Sequence, residues 1–246
     1  MTAPSQIDDC LELMQKLIEY RYQKALHHQL MKAADHSMLG IDVLVLIYHF
    51  ARIADGDILE IGSFVGGSTI AAGLGVRDSG RPRKIISIEV GGRLDDHRMA
   101  TKDICKDLKR NLSRVGLLEA VALINGSSFD ERTIASVREL TSPGQTGLFI
   151  FDADANVRRD IDCYSDRFAK GCWIVIDDYF SATEKGGPTR IQVDELVTAG
   201  RLEPLGFYGW GTWIGRWLGA AMIFFGVQTT GAESFMSWAW AAIVDI

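Results

Sequence analysis

The chain opens with apolar side chains at helical spacing. Between residues 7 and 31 they recur every three or four positions, with Glu and Lys elsewhere, and this pattern predicts one amphipathic helix. Its predicted apolar face consists of Leu11, Met14, Leu17, Ile18 and Tyr22. A loop is predicted over residues 33–38, followed by a mostly buried helix over residues 40–54. We therefore expect a helical extension that forms a cap and a lid ahead of the first strand.

From Asp57 onward, short apolar runs alternate with amphipathic segments. Strands are predicted to begin at Asp57 and to cover 84–89, 121–125, 147–151 and 172–176, with helices over 100–115, 132–140, 156–169 and 191–199. Residues 203–228, rich in Trp, Phe, Tyr and Gly, predict a closing antiparallel pair. Repeated β-α units with apolar strands are typical of a parallel sheet covered by helices on both faces. We predict a single α/β domain over residues 1–246, with the helical cap and lid in 1–54 and a Rossmann-like, seven-stranded, mostly parallel sheet in 55–246.

A glycine-rich turn follows the first predicted strand, where the sequence E-I-G-S-F-V-G-G-S-T runs from Glu60 to Thr69. The apolar run before it and the small residues after it predict a strand, a turn and a helix. Such a turn lets the backbone approach a ligand at the carboxyl end of a parallel strand. A dinucleotide-binding turn needs glycine where this chain has Phe64. The motif therefore argues against a pyrophosphate and makes an NAD-dependent oxidoreductase the least favoured function.

Polar side chains also follow the second and third predicted strands. Glu89 ends the second strand and lies 29 residues after Glu60 (89 − 60), which is about one β-α-β unit. A carboxylate there is well suited to accept hydrogen bonds from two ribose hydroxyls, although an acid at a strand end can also simply face solvent. After the third strand, Ser128 could bind an adenine and Phe129 could stack on it, with an ordinary turn as the alternative.

Three aspartates follow the fourth and fifth predicted strands. Asp152 comes after one apolar run, and Asp177 and Asp178 come after the next, so the ends of neighbouring parallel strands should bring them together. Three unpaired carboxylates in one cleft repel one another, and oxygen-only ligands suit Mg²⁺, Mn²⁺ or Ca²⁺ better than zinc. Alternatively, Asp177 caps a turn and Asp178 pairs with an arginine such as Arg190. The sequence favours a metal site.

Together these motifs resemble those of class I S-adenosylmethionine (SAM)-dependent methyltransferases. The E-x-G-x-x-x-G pattern is similar to their first motif. D-x-D at residues 152–154 and I-D-D-Y at residues 176–179 resemble metal-dependent O-methyltransferases of the catechol and macrocin type. The resemblance runs from about Asp57 to Trp217. It implies SAM and a divalent metal as cofactors, with Mg²⁺ ahead of Mn²⁺ or Ca²⁺, and a small-molecule hydroxyl as the methyl acceptor.

The resemblance also implies roles for individual residues. Glu60 and Gly62 would approach the methionine part of SAM, Glu89 would bind its ribose, and Ser128 and Phe129 would meet its adenine. The predicted cofactor-binding set is Glu60, Gly62, Ser63, Phe64, Ser68, Glu89, Ser128, Phe129 and Asp152, and the predicted metal ligands are Asp152, Asp177 and Asp178.

The general base is the position at which the chain departs from the family. The catechol enzymes carry a lysine three residues after the first metal aspartate, and many relatives carry a histidine there, whereas this chain has Ala155. The predicted catalytic residues are Asp154 and His36 of the lid loop. Glu184 and Lys185, in the loop after the fifth strand, are further candidates.

We predict methyl transfer from SAM to a hydroxyl of a small molecule, in particular a natural product. Two alternatives stay open: metal-independent transfer to nitrogen or carbon, and a SAM-binding protein without catalytic activity. The net charge of −6 argues against nucleic acid as a partner, and the apolar windows are too short for a membrane helix. Four scattered cysteines without C-x-x-C spacing predict a reduced, cytoplasmic protein, and the apolar segment 235–240 could pack against a second copy.

Overall fold

The computed structural model of the protein describes residues 6–219. The strands are β1 Asp57–Ile61, β2 Ile85–Glu89, β3 Val121–Asn125, β4 Thr146–Phe151, β5 Phe168–Ile176, β6 Leu202–Tyr208 and β7 Thr212–Trp217. The helices are α1 Gln6–Tyr22, α2 Lys24–Ala34, α3 Ile41–Ile53, α4 Gly67–Ser79, α5 Ile104–Arg114, α6 Glu131–Leu140, α7 Val157–Tyr164 and α8 Gly186–Thr198. Both the strand–helix alternation and the N-terminal helices agree with the prediction.

The strands form one seven-stranded sheet in the order β3-β2-β1-β4-β5-β7-β6. Strands β1 to β5 run parallel, and β7 pairs antiparallel with both β5 and β6. The predicted fold class, a Rossmann-like, mostly parallel sheet, is therefore confirmed. The chain moves outward from β1 to β3 and then crosses to the other side of β1 with β4. Open α/β sheets bind ligands at this kind of reversal, beyond the carboxyl ends of the strands.

Each face of the sheet packs against its own set of helices. Successive strand residues alternate between the two cores, because side chains along a strand point to opposite faces. Ile58 packs in the core formed with α1 to α5, whereas Leu59 packs in the core formed with α6, α7 and α8. Within residues 6–219, none of the helices combines the length and apolar character required to cross a membrane.

The predicted N-terminal helix is wrong in two respects. It is broken at Gln23, whose backbone leaves the helical region (φ −85°, ψ 78°), so that α1 packs on α3 and β6 while α2 packs on α3 and α4. In addition, the apolar side chains of α1 that are buried in the core are Leu13 and Tyr20, and of the predicted face Leu17 packs against that core. Most of the predicted apolar face is exposed instead, namely Leu11, Met14, Ile18 and Tyr22. Helical spacing alone could not distinguish two apolar stripes on one helix.

Several predicted boundaries also shift. The predicted helix 156–169 extends too far, because α7 ends at Tyr164 and β5 begins at Phe168. Helix α5 starts at Ile104 instead of residue 100, since the Asp103 side chain caps it by accepting a hydrogen bond from the backbone N–H of Lys106 at 2.9 Å. Helix α8 starts five residues earlier than predicted (191 − 186). Residues 220–228 of the predicted antiparallel pair and the segment 235–240 lie outside the described residues.

Candidate active site

A cavity of about 430 Å³ lies at the carboxyl ends of β1, β2 and β4, where the strand order reverses. Ten of the predicted site residues line this cleft: His36, Gly62, Ser63, Phe64, Ser68, Glu89, Ser128, Phe129, Asp152 and Asp154. Lys185, one of the further base candidates, lines it as well. The cleft thus brings together residues from the segment between α2 and α3, the glycine turn and the ends of four strands.

Three residues of the glycine turn have a positive φ, a backbone conformation that residues other than glycine rarely adopt. Gly62 has a φ of +84°, and a Cβ at this position would lie 2.0 Å from the carbonyl oxygen of Asp152. Phe64 has a φ of +48°, and Gly66, with a φ of +100°, precedes the first residue of α4. The turn therefore passes directly against the end of β4, and only glycine permits this approach at position 62.

Glu60 lies behind the turn and does not line the cleft. Its side chain is fully buried, and Oε2 accepts hydrogen bonds from Thr69 Oγ1 at 2.6 Å and Ser87 Oγ at 2.9 Å. Oε1 is buried without a hydrogen-bond partner in the described residues. Burial raises the pKa of Glu60 above its ordinary value, which favours the neutral acid.

Glu89 connects the turn to the second strand. Its Oε2 accepts a hydrogen bond from the backbone N–H of Phe64 at 2.7 Å, and its Oε1 accepts one from the N–H of Gly91 at 2.9 Å. A carboxylate has about four acceptor positions, so both oxygens can accept further hydrogen bonds. The side chain is 7% exposed and lines the cleft, which leaves it able to receive two vicinal hydroxyls.

Ser128 and Phe129 lie beside a charged group that the sequence did not reveal. The guanidinium of Arg159 stacks over the Phe129 ring, with Cζ 3.9 Å from the ring centroid. Arg159 also pairs with Asp154 at 3.0 Å and with Asp160 at 2.5 Å, and Asp160 is fully buried. Arg159 lines the cleft, so it forms part of the wall next to the predicted adenine position. Its neighbour Arg158 carries the same charge and points elsewhere, so no sequence signal distinguished the two.

The carboxylate of Asp154 already accepts hydrogen bonds from Arg159 and Asn156. Both of its oxygens accept hydrogen bonds from Arg159, at 3.0 and 3.2 Å, and Oδ1 also accepts from the backbone N–H of Asn156 at 2.9 Å. Partial burial acts to raise the pKa of Asp154, but the hydrogen bonds from Arg159 and Asn156 outweigh it and lower the pKa. A carboxylate with a lowered pKa is a weaker proton acceptor.

His36 lies in the segment between α2 and α3, on the wall of the cleft, and is half-buried. This segment packs closely on the start of α4. The Cβ of Ser37 would be 2.2 Å from a Cβ placed on Gly67, so glycine at position 67 is what allows the contact. Part of the predicted loop is helical, because α2 continues to Ala34.

The three predicted metal ligands converge at the ends of β4 and β5. One carboxylate oxygen each from Asp152, Asp177 and Asp178 lies within 4.8 Å of the other two. Asp177 Oδ1 accepts a hydrogen bond from Thr212 Oγ1 at 2.6 Å, and Asp178 adopts a left-handed backbone with a φ of +62°. An all-carboxylate donor set of this size fits a hard divalent cation such as Mg²⁺ or Mn²⁺. We refer to these three residues as the carboxylate cluster.

Burial, together with neighbouring charge, raises the pKa of two residues of the carboxylate cluster. Burial is the main reason that the pKa of Asp152 is well above its ordinary value, and the charges of Asp177 and Asp178 raise it further. Burial also raises the pKa of Asp177. The alternative that pairs Asp178 with Arg190 does not match the structure, since Lys185 Nζ lies 3.5 Å from Asp178 Oδ2 and Arg190 is exposed.

Residues 59–179 match a family model described as a methyltransferase domain, and this stretch contains the glycine turn, Glu89 and the carboxylate cluster. No curated protein sequence is similar enough to match the chain. The family model covers 121 of the 246 residues, and its match agrees with the seven-stranded sheet and its cleft in indicating a methyltransferase domain over this stretch.

Solved structures show the same fold at low sequence identity. The O-methyltransferase TomG from Streptomyces achromogenes, involved in tomaymycin synthesis and solved with SAM, is 17% identical, with a TM-score of 0.56 over 78% of this chain and 90% of TomG. The SAH-bound methyltransferase PaMTH1 from Podospora anserina is 17% identical, with a TM-score of 0.55 over 85% of this chain and 88% of its own. An O-methyltransferase from Bacillus cereus, solved in complex with SAH, is 15% identical, with a TM-score of 0.52 over 89% of this chain and 93% of its own.

Proposed function

We propose that the protein transfers the methyl group of SAM to a hydroxyl oxygen of a small-molecule acceptor with the help of a divalent metal. The observation that carries this proposal is the cleft itself. Glu89, the glycine turn and Asp152 of the carboxylate cluster all line this one cleft. A methyl donor bound along the turn would therefore lie next to an acceptor held at the carboxylate cluster.

The cofactor contacts are assigned from the positions of these side chains. Glu89 would accept hydrogen bonds from the two ribose hydroxyls, and Ser128 and Phe129 would bind the adenine. The backbone of Gly62 and Ser63 would contact the methionine part, because this turn has no Cβ at position 62 to block the approach. Neighbouring structures with SAM or SAH bound support the same cofactor here.

The carboxylate cluster would hold the metal through Asp152, Asp177 and Asp178. A bound divalent cation lowers the pKa of a hydroxyl that it coordinates and fixes its orientation. Asp177 is held in place by Thr212, and Asp178 by its position in the turn after β5, so both donors are positioned by the fold. The remaining task of the protein is to align the acceptor oxygen with the methyl carbon, and alignment of this kind is worth several orders of magnitude in rate.

His36 is the better of the two predicted bases. It lines the cleft and makes no ion pair with another of residues 6–219, whereas both oxygens of Asp154 accept hydrogen bonds from Arg159. We therefore assign proton removal to His36 and assign Asp154 to holding Arg159 against Phe129. The TomG structure, described as involved in tomaymycin synthesis, supports a natural product as the acceptor class.

Calorimetric titration tests this function directly. SAM and SAH would be titrated into the protein with Mg²⁺ and again after EDTA, and into the variant Asp177→Asn. Micromolar binding of both, separate heat from the metal, and loss of the metal heat in Asp177→Asn with SAM affinity kept are the expected results. Failure of SAM and SAH to bind would overturn the methyltransferase assignment, and binding of SAM without metal uptake would overturn only the metal part.

One observation favours a second candidate function, which is metal-independent transfer to nitrogen or carbon. Lys185 already contacts Asp178, so the carboxylate cluster has a cation from the protein itself. In that case the carboxylates would bind an amine substrate directly, and turnover would not change when EDTA is added.

A further inference from the structure

Lys185 stands at a junction between the two loops that carry the carboxylate cluster. It directly precedes α8, and its ammonium donates a hydrogen bond to the backbone carbonyl of Ala153 at 2.6 Å. The same Nζ lies 3.5 Å from Oδ2 of Asp178. Ala153 follows Asp152, so Lys185 connects the end of β4 to the end of β5 at the carboxylate cluster.

The carboxylate cluster requires a positive charge beside it, supplied either by a metal ion or, when no metal is bound, by the protein. Its three carboxylates lie within 4.8 Å of one another, and like charges at this distance disfavour full ionisation. Among residues 6–219, the ion pair made by the carboxylate cluster is the one with Lys185. The position of the ammonium, in contact with one ligand and with the backbone beside another, is therefore that of a substitute for an external cation.

Hydrogen bonds hold the backbone on both sides of Lys185, whereas its side chain is partly exposed to solvent. The segment before it is closed by hydrogen bonds from the N–H of Ser181 to the carbonyl of Asp178 and from the N–H of Gly186 to the carbonyl of Thr183, both 3.2 Å long. Gly186 packs so closely on Ser181 that a Cβ there would lie 2.0 Å from its carbonyl oxygen. The Lys185 side chain itself is 43% exposed, so its flexible stem can turn the ammonium toward solvent.

We propose that Lys185 is a tethered cation that neutralises the carboxylate cluster in the absence of metal and leaves Asp178 when a divalent ion binds. This inference rests on the proposed metal-dependent function. Because the ammonium must withdraw before all three carboxylates can bind one ion, the apparent metal affinity is reduced by the fraction of molecules in which Lys185 is in place. Removal of the charge should therefore strengthen metal binding, whereas loss of an ordinary supporting residue would weaken it.

The test is a comparison of Mn²⁺ affinities in the full chain. Mn²⁺ would be titrated into the wild type, Lys185→Gln and Lys185→Arg, and into Lys170→Gln, which removes an exposed lysine from the opposite end of β5. We expect Lys185→Gln to bind Mn²⁺ about tenfold more tightly than the wild type. Lys185→Arg keeps the charge and should stay close to the wild type, and Lys170→Gln should not differ from it.

A second measurement shows whether the variant is folded and adds an independent readout. Without metal, Lys185→Gln should have a lower melting temperature than the wild type, because its carboxylate cluster lacks a counter-charge, and saturating Mn²⁺ should restore it. Equal or weaker Mn²⁺ binding by Lys185→Gln would overturn the inference and leave the metal-dependent function intact. Absence of Mn²⁺ binding in every variant, with SAM still bound, would overturn both the metal-dependent function and this inference.

Discussion

Oε2 of Glu89 accepts a hydrogen bond from the backbone N–H of Phe64 at 2.7 Å and so ties the end of β2 to the glycine turn after β1. Phe64 has a φ of +48°, which is uncommon for a residue other than glycine. Since the other oxygen of Glu89 binds Gly91, one carboxylate holds two loops of the cleft in place. The residue predicted to bind ribose is thus also the residue that shapes the turn.

Glu89→Gln should weaken SAM binding by at least about tenfold, which corresponds to about 1.4 kcal/mol. The amide has one acceptor oxygen and one donor nitrogen, so one of the two backbone N–H groups would face another donor. An unsatisfied buried donor costs about 1–3 kcal/mol of folding free energy. Calorimetry and urea unfolding measure the two effects.

Glu119→Gln is the matched control for that experiment, because this glutamate is exposed in the turn before β3. It should leave both SAM affinity and the free energy of unfolding unchanged. Wild-type SAM affinity in Glu89→Gln would contradict the role of Glu89 in both the ribose contact and the turn.

Gly62→Ala should be severely destabilising, by at least about 3 kcal/mol. The new Cβ would lie 2.0 Å from the Asp152 carbonyl oxygen, in addition to the strain of a φ of +84°. Gly144→Ala separates the two contributions, since Gly144 has a φ of +69° but no atom within 4 Å of an added Cβ. That variant should lose only about 1–2 kcal/mol. Equal losses in urea unfolding would mean that the close approach to β4 is not what requires glycine at position 62.

Substitution of the two predicted bases, His36 and Asp154, should have opposite effects on kcat and KM. His36→Gln should lower kcat by about 10²–10⁴-fold, the usual contribution of a general base, with little change in SAM affinity. Asp154→Asn should keep kcat within about threefold, since the carboxylate pairs with Arg159, and should mainly raise the KM for SAM through the loosened stack on Phe129. Steady-state kinetics with an accepted substrate decide between them. A large loss of kcat in Asp154→Asn, with His36→Gln unaffected, would reverse the assignment.

The sequence was sufficient for the parallel part of the sheet because its strands contain short apolar runs, and those at 148–151 and 173–176 end directly before Asp152 and Asp177. Short apolar runs of this kind are typical of buried strands. Their order along the chain determines which side chains reach the carboxyl edge of a parallel sheet. Glu89 and Asp152 could therefore be placed near one cleft from spacing alone. Glu60 shows the limit of that reasoning, since its position at a strand end did not reveal that its side chain is buried behind the turn.

Arg159 shows what pattern alone could not supply. It reaches the cleft from α7, where its neighbour Arg158 carries the same charge, so the deciding factor is the direction of the side chain. The break at Gln23 is a second example. It depends on two different packing surfaces, one formed by β6 and the other by α4, and these are distant in sequence from the helix that they divide.

His49 gives the protein a pH dependence that is separate from the cleft. Burial lowers its pKa to about 4, with smaller contributions from Lys16 and Arg52, and its Nδ1 lies 3.0 Å from the Tyr20 hydroxyl. The ordinary pKa of histidine is about 6.5, so between pH 6.5 and about 4 the unfolded chain binds more protons than the folded one. The stability contributed by neutral His49 is therefore complete above pH 6.5 and lost as the pH falls toward 4. The total loss should be on the order of 3 kcal/mol.

Urea unfolding at a series of pH values measures this dependence. In His49→Gln, which can still hydrogen-bond Tyr20, the fall in the free energy of unfolding between pH 6.5 and 4 should be smaller than in the wild type by up to about 3 kcal/mol. His97→Gln removes an exposed histidine and should keep the wild-type slope. If both variants lost stability with the same slope as the wild type, the acid sensitivity would have to come from other groups, and His49 would be protonated in the folded protein at little cost.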